Sequence, residues 1–150
     1  FRVSTLALGY LDRPAAQTES FRDGAFCPAD LFVRCGSGWL FAGREDAMVK
    51  IKGRWVNLVE LEERLGADIP GLLECASACI PDADGVDAVA FFYVARDGAQ
   101  AAVEQLLRQR AGQLPHYQRP SWLAPTTTLP RTSTGKLLRR HLAERLQRTD

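Results

Sequence analysis

The spacing of apolar residues changes character near Gly43. Before that point, short apolar pieces alternate with turn signals such as Arg22-Asp23-Gly24 and Gly36-Ser37-Gly38, a pattern typical of short strands and loops with little helix. Residues 39–42 predict a strand that leads into Gly43. Beyond it, helical and strand periodicities alternate. The sequence therefore predicts an α+β unit behind an irregular β segment.

The first helix of that unit is predicted after Asn57. Asn57 is a good N-cap, and Glu60 stands three positions further on, close to a capping box. The leucines that follow repeat at helical spacing: Leu58, Leu61 and Leu65. Four charged residues fall elsewhere on the helical wheel: Glu60, Glu62, Glu63 and Arg64.

Two further helices and three strands complete the pattern. One helix is marked by Ala102, Val103, Leu106, Leu107 and Ala111 and stops before Pro115, and the other is marked by Leu138, Leu142 and Leu146. Strands are predicted at residues 75–80, 87–95 and 122–124. Residues 87–95 are apolar at both odd and even positions, which predicts a central strand covered by helices on at least one face.

Composition limits the classes of function. The 150 residues are 46% hydrophobic and 25% charged, ordinary proportions for a globular domain. A formal net charge of +1 argues against binding nucleic acid or anionic membranes through bulk electrostatics. No apolar run approaches the roughly 20 residues of a spanning helix and no leader is visible, so we expect a cytoplasmic protein without a membrane span. Because the chain begins at Phe1, we expect a fragment or a processed product.

The four cysteines do not predict a metal site. Cys75 and Cys79 lie in a run of small residues, and neither a CxxC pair nor a nearby histidine pair completes a zinc pattern. With Cys27 and Cys35, they are expected to be buried free thiols of a reducing compartment.

Residues 129–139 are not explained by packing. Pro130 stiffens the backbone, three consecutive hydroxyl residues follow, and Gly135 permits an unusual backbone conformation. Lys136 then stands before the last predicted helix, where a flexible cation suits a phosphate or carboxylate delivered from elsewhere. The stretch is not a phosphate-binding P-loop, because Pro130 replaces the required glycine and Leu137 the required hydroxyl residue. A solvated lysine on a surface turn is the open alternative.

Residues 43–53 form the second unexplained stretch. Arg44 could pair with a phosphate or carboxylate, and Asp46 lies where an inter-domain hinge would fall. Lys50 and Lys52 alternate with apolar neighbours as on an edge strand, so a β-hairpin with charged outer residues is the open alternative.

Together the two stretches resemble the C-terminal part of the adenylate-forming superfamily, which includes acyl- and aryl-CoA ligases, luciferases and the adenylation domains of peptide synthetases. Residues 43–53 match the family's glycine-arginine hinge motif, and residues 130–139 match its closing lysine motif. The resemblance extends to four further segments: residues 9–14, 23–30, 58–62 and 114–120. It therefore covers nearly the whole chain.

The resemblance implies a small C-terminal lid domain with a short mixed sheet flanked by helices, at residues 46–150. Residues 1–45 would be the end of the large AMP-binding domain. In this family a carboxylic acid reacts with ATP to give an acyl adenylate, the lid rotates, and the thiol of CoA or of a carrier-protein phosphopantetheine takes the acyl group. The implied partners are the large N-terminal domain, the acid, and CoA or an acyl carrier protein.

The resemblance also implies roles for individual residues. Lys136 would be the catalytic lysine of adenylation, Asp30 and Arg44 would bind the nucleotide, Asp46 would be the hinge, and Gly53 would line the thiol channel. Asp30 is the weakest of these, because Pro28-Ala29 precedes it where the family has Thr-Gly. Mg²⁺ is expected with ATP, although none of these residues is assigned to it.

The family's phosphate loop and acyl pocket do not occur in these residues, so we expect the chain alone to be inactive. A non-catalytic docking module is the alternative. Its surface would be the basic C-terminal region, which combines six cations with two acids: Arg131, Lys136, Arg139, Arg140, Arg145 and Arg148 against Glu144 and Asp150.

Overall fold

The computed structural model describes residues 7–146, and the side chains of all of these except residues 46, 143, 145 and 146. Several residues named above lie outside this description, wholly or by their side chains: Arg148, Asp150, Asp46, Arg145 and Leu146. The chain forms two compact units, the first ending at Asp46 and the second beginning at Ala47.

Over residues 7–46, the first unit has one short helix and two antiparallel strand pairs, β1–β2 and β3–β4. Its elements are α1 (Pro14–Ser20), β1 (Phe21–Arg22), β2 (Ala25–Phe26), β3 (Asp30–Cys35) and β4 (Gly38–Arg44). The sequence pattern predicts little helix here, and α1 is an exception to it. Pro14 occupies the start of this helix, where the missing N–H has no intrahelical partner to lose and the fixed φ already suits a helix.

Over residues 47–146, the second unit combines a hairpin, a mixed sheet and three α-helices. Its elements are β5 (Met48–Ile51), β6 (Arg54–Asn57), α2 (Leu58–Gly66), β7 (Leu72–Pro81), β8 (Asp87–Ala95), α3 (Gln100–Gly112), β9 (Trp122–Pro125) and α4 (Arg139–Leu146). Strand β8 lies between β7 and β9, antiparallel to β7 and parallel to β9.

Strand β8 occupies the centre of the sheet because both of its faces are apolar. Phe91 and Tyr93 belong to a buried cluster that includes residues of α2 and α3. Ala90 and Phe92 belong to a second cluster, which includes Leu142 of α4. Helices therefore cover both faces of the strand, and the prediction of a central strand at residues 87–95 is confirmed.

Helix α2 begins where the sequence predicts. The Asn57 side-chain oxygen accepts the backbone N–H groups of Val59 and Glu60 at 3.1 and 3.3 Å. Such a cap is worth about 1 kcal/mol. The three periodic leucines of this helix are buried against β8 and α3: Leu58, Leu61 and Leu65.

A tight hairpin joins β5 to β6. Ile51 pairs with Arg54 in the ladder, so only Lys52 and Gly53 form the loop. Both have left-handed backbone, with φ values of 47° and 81°. This is the conformation of a two-residue type I′ turn, whose twist matches that of the flanking strands. A β-hairpin is the open alternative for residues 43–53. The structure contains one, formed by β5 and β6, and it overlaps the C-terminal part of that stretch.

The predicted α+β class is confirmed, with a short mixed sheet between helices. Within residues 7–146, no helix combines the length and apolarity needed to cross a membrane.

Candidate functional site

Lys136 lies on a loop that hydrogen bonds close at its base. We call residues 130–138 the Lys136 loop. The Thr132 N–H donates to the Lys136 carbonyl at 2.8 Å, and the Leu138 N–H donates to the Pro130 carbonyl at 2.8 Å. These bonds resemble the rungs of a short antiparallel ladder, and they bring the two ends of the loop together.

The hydroxyl residues of the loop set its shape. The Thr132 hydroxyl accepts the Lys136 backbone N–H at 3.0 Å and lies 2.9 Å from the Thr134 hydroxyl. Gly135 has a φ of 84°, a conformation that a side chain disfavours. The local turn chemistry predicted from this sequence is therefore present, and it orients the backbone of Lys136.

An arginine joins the loop to the sheet. Arg131 Nη1 donates to the Gly135 carbonyl at 2.9 Å, and Arg131 Nη2 lies 2.8 Å from Glu74 Oε2. Glu74 belongs to β7. One guanidinium thus contacts both the strand and the residue immediately before Lys136.

A second arginine anchors the chain just after the loop. Arg139 forms a two-pronged ion pair with Glu62 of α2, and its Nη1 also donates to the Ser77 carbonyl at 2.8 Å. The Ser77 N–H donates to the same Glu62 carboxylate. The side chains of Arg139 and Glu62 are only 24% and 13% exposed. This network ties α2, β7 and the start of α4 together.

Lys136 itself is exposed, and among the described side chains no carboxylate pairs with its ammonium group. Arg131 and Arg139, by contrast, pair with Glu74 and Glu62. The docking alternative counts both arginines among the cations of its surface. In the structure, acids from β7 and α2 compensate the charges of both.

The two candidate nucleotide residues lie together in the first unit. Asp30 and Arg44 face each other in the β3–β4 ladder, and Arg44 Nη1 donates to Asp30 Oδ1 at 2.8 Å. A β-bulge follows between Leu31 and Phe32, and bulges twist strands and redirect side chains. Both charged side chains are partly exposed. A carboxylate has about four lone-pair sites, so this pairing leaves acceptor capacity for a further ligand.

The other two candidates lie at a unit boundary and at a hairpin tip. Asp46 is part of a 3-10 turn, Glu45–Ala47, at the last position of the first unit. Gly53 ends the β5–β6 turn, and apart from its chain neighbours no heavy atom of the described residues lies within 4 Å of the position that a Cβ would take. The glycine therefore serves the left-handed backbone, and the adjacent space is open.

The cysteines separate into two pairs. Burial raises the pKa of the Cys75 thiol to about 11, with a further rise from Glu62 that Arg139 opposes. Burial also raises the pKa of Cys79 to about 11, assisted by Asp87. Cys27 and Cys35 are exposed and Cys75 and Cys79 are half-buried, so the expectation of four buried thiols is wrong for the first pair and holds only in part for the second. In the described part of the chain, no three His, Cys, Asp or Glu side chains gather as metal ligands.

Sequence reasoning missed the acids that hold the lysine's surroundings in place. Glu62 lies about 40° from Leu58 on the helical wheel, at about 100° per residue, so it borders the buried stripe. That position was the available signal for Glu62. Glu74 carries no such signal, because its partner Arg131 is 57 positions away in the sequence.

In this chain, a mixed three-stranded sheet with helices on both faces is followed by a lysine on an anchored, hydroxyl-rich loop. The chain belongs with the adenylate-forming enzymes and corresponds to their C-terminal part. No family model matches the sequence, so this assignment depends on individual relatives.

Among these relatives is the 3-hydroxybenzoate–CoA/4-hydroxybenzoate–CoA ligase of Thauera aromatica, 33% identical over 152 residues that cover 99% of this chain and 29% of that ligase. Surfactin synthase subunit 1 of Bacillus subtilis is 32% identical, covering 89% of this chain and 4% of the synthase. The crystal structure of the anthranilate CoA ligase AuaEII in complex with anthranoyl-AMP matches with a TM-score of 0.80 and 28% identity, covering 99% of this chain and 30% of that one. The chain thus spans about three tenths of these CoA ligases.

Proposed function

We propose that this chain is the C-terminal lid of an ATP-dependent acid–thiol ligase and that Lys136 acts in adenylation. The observation that carries the proposal is the exposed ammonium group of Lys136, without a carboxylate partner among the described residues, on a loop whose shape is fixed by hydrogen bonds. A relative of matching fold was solved with an acyl adenylate, anthranoyl-AMP, which supports this reaction class.

In the first step a carboxylate oxygen of the acid attacks the α-phosphorus of ATP. The bond from that phosphorus to the bridging oxygen breaks, and pyrophosphate leaves with its electron pair. Two anions must approach each other, and negative charge accumulates on the phosphate oxygens. The Lys136 ammonium counteracts both effects, which contributes a few kcal/mol in a site that excludes water.

Asp30 and Arg44 suit the nucleotide. The Asp30 carboxylate would accept hydrogen bonds from the ribose hydroxyls, while Arg44 holds that carboxylate in place at 2.8 Å. Mg²⁺ would accompany ATP, and groups outside residues 7–146 would complete its coordination.

In the second step the sulfur of a thiol attacks the acyl carbon, the thiol proton is lost and AMP leaves. We propose CoA as the thiol substrate, because the matches to a hydroxybenzoate–CoA ligase and to an anthranilate CoA ligase cover 99% of this chain, whereas the match to surfactin synthase subunit 1 covers 89% of it. Asp46 would be the pivot that exchanges the Lys136 loop for the β5–β6 turn at the site, and the open space beside Gly53 would admit the pantetheine arm. A carrier-protein phosphopantetheine is the alternative acceptor, since peptide synthetases are also among the relatives.

The test separates the two half-reactions in the full-length ligase. Lys136→Ala should reduce acid-dependent ATP–pyrophosphate exchange by at least about 100-fold, the scale of a lost electrostatic contact, and spare transfer from supplied acyl adenylate to CoA. The control is Arg140→Ala, which removes an exposed cation close by on α4. Equal loss of both half-reactions, or the same loss in the control, would reject the role of Lys136.

The pivot is tested with two variants of one residue. Asp46→Pro fixes φ and should leave pyrophosphate exchange intact while blocking transfer to the thiol. Asp46→Ala keeps the backbone free and should slow transfer far less. Normal turnover by the proline variant would contradict a pivot at this position.

A further inference from the structure

The hydrogen bonds inside the Lys136 loop fix its shape but not its direction. At its base, Leu129 is buried and Leu137 packs against the second core cluster. Nearer the tip, Arg131 contacts both Gly135 and Glu74 of β7. A planar guanidinium has donors in fixed directions, so binding two acceptors at once sets the angle between them.

We propose that Glu74 and Arg131 are positioning residues for Lys136, and that their ion pair aims the loop at the adenylation site. This inference rests on the function proposed above for Lys136. Arg131 holds the carbonyl of the residue before the lysine at 2.9 Å, and Glu74 holds Arg131 at 2.8 Å. These two contacts fix the backbone just before Lys136 relative to strand β7.

The pair has an electrostatic consequence as well. Because Glu74 compensates the charge of Arg131, the carboxylate is occupied and Lys136 stays available for anions. Removing Arg131 would leave Glu74, its partner on β7, as an unpaired acid next to the Lys136 loop, and we expect this acid to compete for the Lys136 ammonium group. Removing both would abolish that competition.

The effect on rate should be separable from the effect on stability. The side chains of Arg131 and Glu74 are 45% and 47% exposed, and ion pairs so exposed contribute little to folding. Positioning is more sensitive, since a displacement of about 1 Å can lower a rate by about 100-fold. If the pair served only to stabilise the fold, its removal would lower the stability more than the rate.

The experiment uses the full-length ligase with Arg131→Met, Glu74→Gln and the double variant. We expect kcat of pyrophosphate exchange to fall about tenfold for Arg131→Met and about threefold for Glu74→Gln, with KM for ATP within about twofold. The double variant should be faster than Arg131→Met alone, because the competing acid is gone. Transfer from supplied adenylate to CoA and the melting temperature should stay at wild-type values.

Two further variants sharpen the result. Arg131→Lys keeps the charge but not the fork, so its kcat should lie between those of wild type and Arg131→Met. Arg108→Met breaks the ion pair of α3 with Glu104 and should leave both half-reactions unchanged.

The outcomes distinguish this inference from the proposed function. If Lys136→Ala keeps pyrophosphate exchange, the proposed function itself fails. If Lys136→Ala abolishes exchange while Arg131→Met and Glu74→Gln match wild type, only the positioning role is overturned. It is also overturned if both variants lose the two half-reactions equally together with a lower melting temperature.

Discussion

The backbone of Ser77 supports the fold, whereas its side chain destabilises it. Its N–H donates to Glu62 and its carbonyl accepts from Arg139, so its peptide groups complete the network behind the Lys136 loop. Its hydroxyl is buried and has no hydrogen-bond partner among the described residues. A buried donor left unsatisfied destabilises the fold by about 1–3 kcal/mol.

We therefore expect Ser77→Ala to be neutral or to stabilise the domain by up to about 1 kcal/mol, since it removes the hydroxyl and keeps the backbone. The measurement is urea unfolding followed by circular dichroism. Ser121→Ala, at an exposed position, is the control and should change nothing. A clear loss of stability in Ser77→Ala would mean that the hydroxyl has a favourable role.

Two of the thiols should make the fold less stable at alkaline pH. The pKa values of Cys75 and Cys79 rise from 9.0 to about 11 on folding. The folded state therefore binds these two protons more tightly than the unfolded state. The contribution of the thiols to the free energy of unfolding is fully present below pH 9.0 and is lost as the pH rises to about 11.

Unfolding in urea at pH 8, 9 and 10 should show stability falling with pH, and the combined Cys75→Ala and Cys79→Ala changes should flatten that dependence. The exposure of the thiols makes a separate prediction. At pH 8, iodoacetamide should label the exposed Cys27 and Cys35 before the other two cysteines, and mass spectrometry of the modified peptides measures the order. Equal labelling of all four cysteines would contradict the shielding of the inner pair.

Among the elements, the β5–β6 turn separates two reasons for having a glycine. A φ of 81° disfavours a side chain, whereas the surrounding space is open. Gly53→Ala should destabilise the domain by about 1–2 kcal/mol. Gly53→Asn should recover most of that loss, because asparagine tolerates left-handed backbone.

The same two variants examine the thiol channel. If pantetheine passes Gly53, then Gly53→Asn should fold normally yet slow transfer to CoA, with pyrophosphate exchange unchanged. Stopped-flow measurement of the two half-reactions would show this. Normal transfer in the asparagine variant would limit Gly53 to its role in the turn.

The elements predicted from sequence are those that local pattern determines. Strand β8 follows from its uninterrupted apolar run, and α2 follows from its cap and leucine spacing. The anchors of the Lys136 loop could not be foreseen in this way, because Glu62 and Arg139 are 77 positions apart and meet only when α2, β7 and α4 pack. Helix α1 was missed because Pro14 can begin a helix as readily as it can form a turn.

At the scale of the molecule, the two units differ in how they bury apolar side chains. Both core clusters found among the described residues come from the second unit, between Ile51 and Leu142. In the first unit, the β3–β4 hairpin leaves large apolar side chains exposed: Phe32, Val33, Trp39, Leu40 and Phe41. A two-stranded hairpin is at best marginally stable in water.

We therefore expect residues 47–150 to fold alone in a single cooperative transition, with dispersed amide resonances, while residues 7–46 alone remain unfolded. Circular dichroism and urea titration of the two fragments test this. The comparison matters for the proposed function, because a lid that swings must hold its own shape without the first unit. If residues 47–150 unfold when separated, the Lys136 loop depends on contacts beyond its own sheet, and a freely rotating body would be ruled out.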